Sequence, residues 1–394
     1  MQKKIIALAV AGLMSGAAFA QSNVTIYGRL DVGYSNLDTS WKTAAGVKNS
    51  SDVSTTGTSQ GALTTSRIGF KGEEALGNGM KATFNLEYGL VNTAKLGADQ
   101  GAADLAAPFA QRVGTVGLAG GWGALDLGRQ ASAIEAAWGV GLVGGQNNAV
   151  GTIYSASGVS NTALGTTTAG AAGAVGVVAA NQGGRLTDAR IDEAITYTSP
   201  SFSGFTAKAQ YAKGKSDLNA LADTAGEANS QSRLGLALNY ANGPLNASFG
   251  YSKEKTKRAD GVGGATTFAD PKQWVLSANY NFGVAQAYGL YTKGKSDTAA
   301  AAANRLSSLK GWELGVKVPV GAVTLIGSYY DTKEDYSASN VDVDRDGFQL
   351  GAMYSFSKRT TAYALYGSAD SKAGGASLAS AKADQFAVGL RHDF

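Results

Sequence analysis

Segments of strict alternation, one residue apolar and the next polar, recur along this 394-residue chain, and no stretch of it carries a helical period. The first lies at 24–34. Val24, Ile26, Gly28, Leu30, Val32 and Tyr34 share one face, and Thr25, Tyr27, Arg29, Asp31 and Gly33 share the other. A period of two with one apolar and one charged face is a half-buried strand. At about eleven residues it exceeds a typical globular strand and suits a tilted, membrane-spanning one. Further spans are predicted at 64–73, 82–90, 114–118, a segment ending at Arg129, 190–197, 205–211, 234–240, 245–251, 274–282, 284–293, 312–318, 323–330, 348–356, 360–368 and 386–394, sixteen in all. Their connections alternate. Short turns such as Asn242-Gly243-Pro244 are followed by long polar stretches such as 36–60 and 92–108, which read as strand-free loops.

Composition narrows what such a sheet can be. Residues 1–20 read as a signal peptide: Lys3 and Lys4, an apolar core at 5–13, and a cleavage site at Ala18-Phe19-Ala20. The mature chain is expected to begin at Gln21, outside the cytoplasm. After that segment no apolar run is long enough for a membrane-spanning helix. The absence of cysteine excludes disulfides, thiol nucleophiles and Cys-ligated metals. Without Lys3 and Lys4 the chain has 32 basic and 30 acidic residues, a net charge of +2, too balanced for a nucleic-acid binder. Glycine at 54, tyrosine at 17 and phenylalanine at 13, against only 5 prolines, suit a large all-β protein. No linker divides it, so 21–394 is expected to be one domain.

An even number of antiparallel strands, short turns alternating with long loops, and apolar-out, polar-in faces describe a 16-stranded transmembrane β-barrel of the bacterial outer membrane. Lipid cannot satisfy an open sheet edge, so the sheet must close. Aromatics near the strand ends, among them Tyr34, Tyr88, Tyr197, Tyr240, Phe282 and Phe356, suit girdles at the two interfaces. The competing fold, a soluble β-sandwich, needs a two-sided core and shorter, more even loops. A barrel this wide cannot be filled by its own side chains, so its polar face should line water.

The alternation stops at 130–189. A loop of about sixty residues is uncommon and usually functional. Arg129 and Arg190 stand at its borders. It is expected to fold into the barrel mouth as a constriction loop. Parity fails beside it, because Leu125, Leu127 and Arg129 fall on one side; a bulge or strand end at Gly128 is required to turn Arg129 inward.

Six stretches, in order from mature start to carboxyl terminus, carry a resemblance: NVTIYGRLDVG (23–33), SRIGFKGEEALGNGMKATFNLE (66–87), VGLAGGWGALDLGRQ (116–130), ITYTSPSFSGF (195–205), SKRTTAYALYG (357–367) and the terminal FAVGLRHDF (386–394). The chain resembles the general-diffusion porins of Gram-negative outer membranes, most closely their β-proteobacterial branch. The resemblance implies a homotrimer of sixteen-stranded barrels in outer-membrane lipid. It implies an inward-folded third extracellular loop, and a terminal Phe394 read by the barrel-assembly machinery. It also implies wall arginines facing acidic loop residues, which places Arg67, Arg129 and Arg190 at the constriction. The loop side departs from that pattern. Between 131 and 187 its only acid is Glu135 and its only base Arg185, and 169–180 is a Gly/Ala-rich tract. With the arginines less neutralised, a preference for anions is expected, with Arg29 or Arg233 contributing. Asp31, Glu87, Asp126 and Asp192 would oppose it if they line the lumen.

The residues argue against three other functions. Serine hydrolase chemistry needs a histidine, and the single one, His392, has lipid-facing parity. Asp342-Val343-Asp344-Arg345-Asp346 has calcium-like spacing, but Arg345 takes a ligand position, so the stretch reads as a solvated loop. A substrate-specific channel, for a sugar or phosphate, would need converging recognition groups, and the inward-facing Tyr27 and Tyr330 are too few to make an aromatic slide. The reading adopted is a porin passing small hydrophilic solutes and anions, with no enzyme activity, cofactor or metal.

Overall fold

The computed structural model describes residues 23–42, 46–57, 62–90, 109–144, 150–154, 186–187, 189–216, 229–259, 266–299, 306–336, 341–374 and 380–394. The expected signal peptide, the 169–180 tract and Arg185 lie outside them. Within these residues the chain forms seventeen strands and one short helix. In order they are β1 (Asn23–Lys42), β2 (Lys48–Gly57), β3 (Arg67–Gly77), β4 (Met80–Leu90), β5 (Phe109–Gly120), β6 (Gly123–Ala131), α1 (Glu135–Gly141), β7 (Arg190–Thr198), β8 (Phe205–Ser216), β9 (Asn229–Asn242), β10 (Leu245–Ala259), β11 (Thr266–Asn281), β12 (Gln286–Ala299), β13 (Leu306–Val320), β14 (Val323–Tyr336), β15 (Val341–Ser355), β16 (Thr360–Ala373) and β17 (Ser380–Asp393).

All pairings are antiparallel, and β1 pairs with β17 from Arg29↔Asp393 to Lys42↔Ser380, closing the sheet into a barrel. The barrel has sixteen strand positions although there are seventeen strands. On its other side β1 pairs with β3 through its first part (Asn23↔Glu73 to Arg29↔Arg67) and with β2 through its second (Gly33↔Gly57 to Lys42↔Lys48). β2 and β3 thus share one position. The sixteen spans expected from the sequence correspond to β1 and β3–β17.

The expectation of a strand-free loop at 36–60 is wrong, since β1 continues to Lys42 and β2 returns beside it. The Asp342–Asp346 stretch is likewise not a loop but the start of β15. The reason is the same in both places. Beyond the apolar band the outward residues become charged, as in Asp331, Lys333 and Asp335 on β14, so apolar contrast disappears while the hydrogen-bonded ladder continues. Tight turns mark the other end. Gly77, Asn78 and Gly79 all have positive φ (84°, 50° and 74°), a conformation that glycine and asparagine adopt readily.

The outward face carries exposed large apolar side chains on every side, including Ile26 (60%), Leu314 (59%) and Leu350 (57%). A soluble sandwich would bury them. Here the buried apolar residues belong to the interior, where Ile134, Trp138, Leu142 and Ile153 cluster with inward-facing Val275, Leu290 and Tyr330.

The carboxyl terminus completes the closing pair. The Phe394 N–H donates to Gly28 O (3.1 Å), and Gly28 N–H donates to Phe394 O (3.0 Å). The Phe394 ring occupies the space a Cβ on Gly28 would need. Gly28→Val should therefore destabilise the barrel by about 1–3 kcal/mol through overpacking. This would be read as a lower temperature for loss of the compact electrophoretic form, with recovery when Phe394→Ala is added. An unchanged transition in the single variant would show that the ring can move aside.

Candidate functional site

The site begins with the stretch after β6. Ser132 N–H donates to Ala189 O (2.9 Å), which joins the two ends of 130–189 at the wall. From there the chain crosses the interior. α1 has no side-chain cap and only seven residues, too few to be stable alone, so tertiary contacts hold it. Ser277 Oγ donates to Ala137 O (2.7 Å) and Asn279 Nδ2 to Val140 O (2.9 Å). Glycines permit the approach: a Cβ on Gly250 would lie 2.9 Å from Ile134 Cα, and one on Gly141 would lie 2.7 Å from Ser277 Cβ.

Inward polar side chains of the wall also accept from this segment's backbone. Gln210 accepts from Ala133 N–H (3.0 Å), Glu313 from Ile153 N–H (2.8 Å), Gln385 from Val150 N–H (2.7 Å) and Gln273 from Leu186 N–H (2.8 Å). The sequence placed a polar, water-lining face here. On β8–β17 part of that face instead satisfies loop backbone, and Gln210, Gln273, Glu313 and Gln349 are almost wholly inaccessible.

A second segment enters from the opposite side. Asp31, expected to be a lumen charge, has no exposed surface. It accepts from Tyr363 Oη (2.7 Å) and from Thr64 N–H (2.8 Å). Tyr363 Oη in turn accepts from Ala62 N–H (3.1 Å). Residues 62–66 are thereby held inside, and Leu63 shares a buried cluster with Val143, Ile326 and Leu365. Asp31 is therefore a clamp rather than a solvated charge. It also acts on an arginine at one remove, because Arg67 Nη2 donates to the Thr64 hydroxyl (3.0 Å).

Between the two inserted segments lies a cleft of about 280 Å³ lined by Arg29, Arg67, Arg112, Arg190 and Arg391, with Tyr154 from the loop. Two carboxylates serve four of these guanidiniums. Glu87 accepts from Arg112 Nε (2.7 Å) and lies 3.7 Å from Arg67. Asp393 pairs with Arg29 and lies 3.5 Å from Arg391. Arg190 has no ion pair among the described residues, though it is within electrostatic reach of Arg112, Glu87 and Glu135. Glu135, in the first turn of α1, accepts from Tyr154 Oη (3.4 Å). Five guanidiniums face the two bridging carboxylates, with Glu135 in reach of Arg190 and Asp31 in reach of Arg391 and Arg29, so guanidiniums still outnumber carboxylates.

A second cleft of about 310 Å³ holds Arg129, Arg190 and Arg233, with Asp192 and Glu193. Here the charges nearly cancel. Arg129 pairs with Asp192, and Arg233 lies 3.7 Å from Glu254. Arg190 lines both clefts. Of the arginines singled out from the sequence, Arg67 and Arg190 thus meet in the positive cleft with Arg29. Arg129 and Arg233 stand in the balanced one.

Arg112 and Arg391 were missed. Counting from Val116 puts Arg112 on the lipid face, but the β4–β5 pairing steps from Glu87↔Val113 to Tyr88↔Gln111, leaving Arg112 in a bulge that turns it inward. Nothing in the sequence marks that bulge. Arg391 was legible, since it alternates with Phe386, Val388 and Leu390. The bulge required near Arg129 is present: register shifts between Gly128 and Gln130, and Gly128 has φ +121°.

Residues 7–374 match the model of a family described as Gram-negative porin. Outer membrane porin protein 32 of Delftia acidovorans is 33% identical over 369 residues, covering 93% of this chain and 88% of the relative. The solved anion-selective porin from Comamonas acidovorans is 28% identical, with a TM-score of 0.61 over 95% of this chain and 100% of that one. OmpT of Vibrio cholerae, solved in a trimer form, is 17% identical with a TM-score of 0.59 over 95% and 99% of the two chains. With its closed sixteen-position barrel, this chain belongs to the Gram-negative porin family and forms a channel of the outer membrane.

Proposed function

We propose that this porin passes small hydrophilic solutes passively, that it prefers anions, and that 130–189 with 62–66 forms its narrowest part. The excess of guanidiniums over carboxylates in the Arg67–Arg190 cleft carries this reading. A fixed charge in a partly desolvated passage acts on an ion more strongly than one on an open surface. The cleft therefore raises local anion concentration and repels cations. Arg67, Arg112 and Arg190 are the principal source, with Arg29 and Arg391 behind them, while Asp192 offsets Arg129. The Comamonas relative is described as anion-selective, which agrees with this sign. We further propose a homotrimer, as in the trimer form of the Vibrio protein, and a role for Phe394 in recognition by the assembly machinery.

Reversal potential across a planar bilayer under a tenfold KCl gradient tests the charge assignment. The wild type should show the chloride-favouring sign. Arg67→Ala/Arg190→Ala should lower the chloride-to-potassium permeability ratio by roughly twofold or more, whereas Arg129→Ala should have a smaller effect. A cation-favouring wild type, or a ratio untouched by the double variant, would reject the assignment. Salt offers a second check. The Debye length falls from about 10 Å at 0.1 M to about 3 Å at 1 M, so the preference should weaken over that range. A ratio that does not change with salt would point to size rather than charge.

Asp31→Ala tests the second inserted segment. It leaves Tyr363 Oη and Thr64 N–H without their acceptor, at about 1–3 kcal/mol for buried groups left unpaired. Single-channel conductance should rise and open-channel noise should increase as 62–66 loosens. A folded variant with wild-type conductance and noise would show that the segment does not limit flow.

A further inference from the structure

The outer wall carries its own charge pattern, on the face opposite the arginines. On each of β10–β13 an outward aromatic near the long-loop end is followed, two residues further toward that end, by an outward lysine. The pairs are Tyr251 and Lys253, Trp274 and Lys272, Tyr291 and Lys293, and Trp312 and Lys310. The aromatics form a belt. Trp274 lies 5.4 Å from Tyr291, and Trp312 lies 5.7 Å from Tyr329, between ring centroids.

Register sets the lysines side by side. Lys253 is opposite Lys272, which is opposite Lys295. Lys293 is opposite Lys310, which is opposite Lys333. Directly opposed like charges destabilise a sheet. Carboxylates relieve only part of this: Asp344 is 3.4 Å from Lys333, and Asp297 is 4.0 Å from Lys272. Lys253, Lys293, Lys295 and Lys310 have no ion pair among the described residues. The next sector reverses the sign, for there the residue beyond the aromatic is aspartate: Asp331 after Tyr329, Asp346 after Phe348 and Asp384 after Phe386. Outward lysines occur on other strands too, but Lys213, which follows Tyr211 on β8, stands opposite Ser232, and Lys372 and Lys382 stand opposite Asp344 and Asp370. The rows of three opposed lysines therefore belong to the β10–β14 sector.

We propose that the outer wall of β10–β13 is a binding surface for lipid phosphate headgroups of the outer leaflet. An aromatic belt marks headgroup depth. A lysine two residues beyond it stands about 6–7 Å further along the strand, level with the phosphates. Phosphomonoester groups would place two negative charges among lysines that repel one another, and several such lysines act together on an anionic lipid. The same rows make a poor site for zwitterionic lipid, whose own ammonium group would compete.

Trp274 and Trp312 sit beneath these lysines and report on the lipid beside them. Trp138 is buried in the interior, Trp41 faces inward, and Trp122 is in a tight turn at the other rim. The folded oligomer would be placed in phosphatidylcholine vesicles containing brominated phosphatidic acid or, at equal mole fraction, brominated phosphatidylcholine. Tryptophan fluorescence is then measured in both. Brominated phosphatidic acid should quench about two- to threefold more, and the excess should shrink as salt is added. It should vanish in Lys272→Gln/Lys293→Gln/Lys295→Gln/Lys310→Gln, remain in the matching Lys→Arg variant, and be lost with Trp274→Phe/Trp312→Phe. Compact electrophoretic mobility and wild-type conductance would confirm that each variant is folded. Equal quenching by the two lipids in the wild type overturns the proposal, as does an excess that survives the Gln variant. Failure of either lipid to quench overturns it too, because the face would then be covered by another subunit.

Discussion

Pairing of the first strand with the last is the constraint on which everything else rests. A backbone N–H or C=O facing hydrocarbon without a partner costs several kcal/mol, so a sheet that spans a membrane has no tolerable edge. The β1–β17 ladder joins the first and last strands of the membrane-spanning sheet, and its register runs unbroken from Arg29 to Lys42. Register also fixes sidedness. A slip of one residue would send Ile26 inward and Arg29 into lipid. The terminal Phe394, bonded to Gly28 through both backbone groups and seated against it through its ring, lies where that register is set.

Closure creates a second problem inside. Sixteen strands enclose more space than wall side chains can fill. The chain answers with two inserted segments, and each brings unpaired backbone groups into the barrel. Gln210, Gln273, Glu313 and Gln385 satisfy the first segment; Asp31 and Tyr363 satisfy the second. The inward face therefore does two kinds of work. One part holds loops in place. The other part keeps its charges accessible, and these are the arginines. Packing and selectivity are coupled here, because Leu63 and Val143 meet in one buried cluster beside the cleft that Arg67 lines.

Much of this was legible in the sequence, and what was not has definite causes. Alternation identified most of the sixteen barrel spans because lipid imposes an apolar face on each, although 284–293 alternates poorly. It lost the outer half of β1 and all of β2, where the outward residues turn polar, apolar Leu37 and Trp41 pack inward instead, and the ladder continues. Parity assigned Arg29, Arg67 and Arg233 correctly to the inner face. It failed at Arg112, which a bulge rotates, and it identified a bulge at Gly128 only because Arg129 otherwise faced lipid. Asp31 was placed on the correct face but given the wrong state. Alternation reports which way a side chain points, not whether a segment thirty residues away will come down over it. The partners that bury Asp31, Thr64 and Tyr363, are distant in sequence and share no pattern with it.

The nearly neutral net charge conceals how strongly charge is sorted by position. A balance of +4 over 394 residues would suggest no electrostatic function at all. Yet the chain places guanidiniums in one interior cleft, balanced ion pairs in the next, lysines on one sector of the outer rim and aspartates on another. The residue types follow the task. Guanidiniums can share one carboxylate between two neighbours while each keeps donors free, as Arg67 and Arg112 do at Glu87. They also stay charged in a narrow, partly dry passage, where an ammonium loses its proton more readily. Lysine suits the rim, where water remains and a flexible stem lets the charge follow a mobile headgroup. A barrel separates these environments by a single layer of backbone, so a change of one in strand parity moves a charge from one role to the other. Selection on such a chain therefore acts on parity and register as much as on composition, and in Arg112 it acts through a bulge.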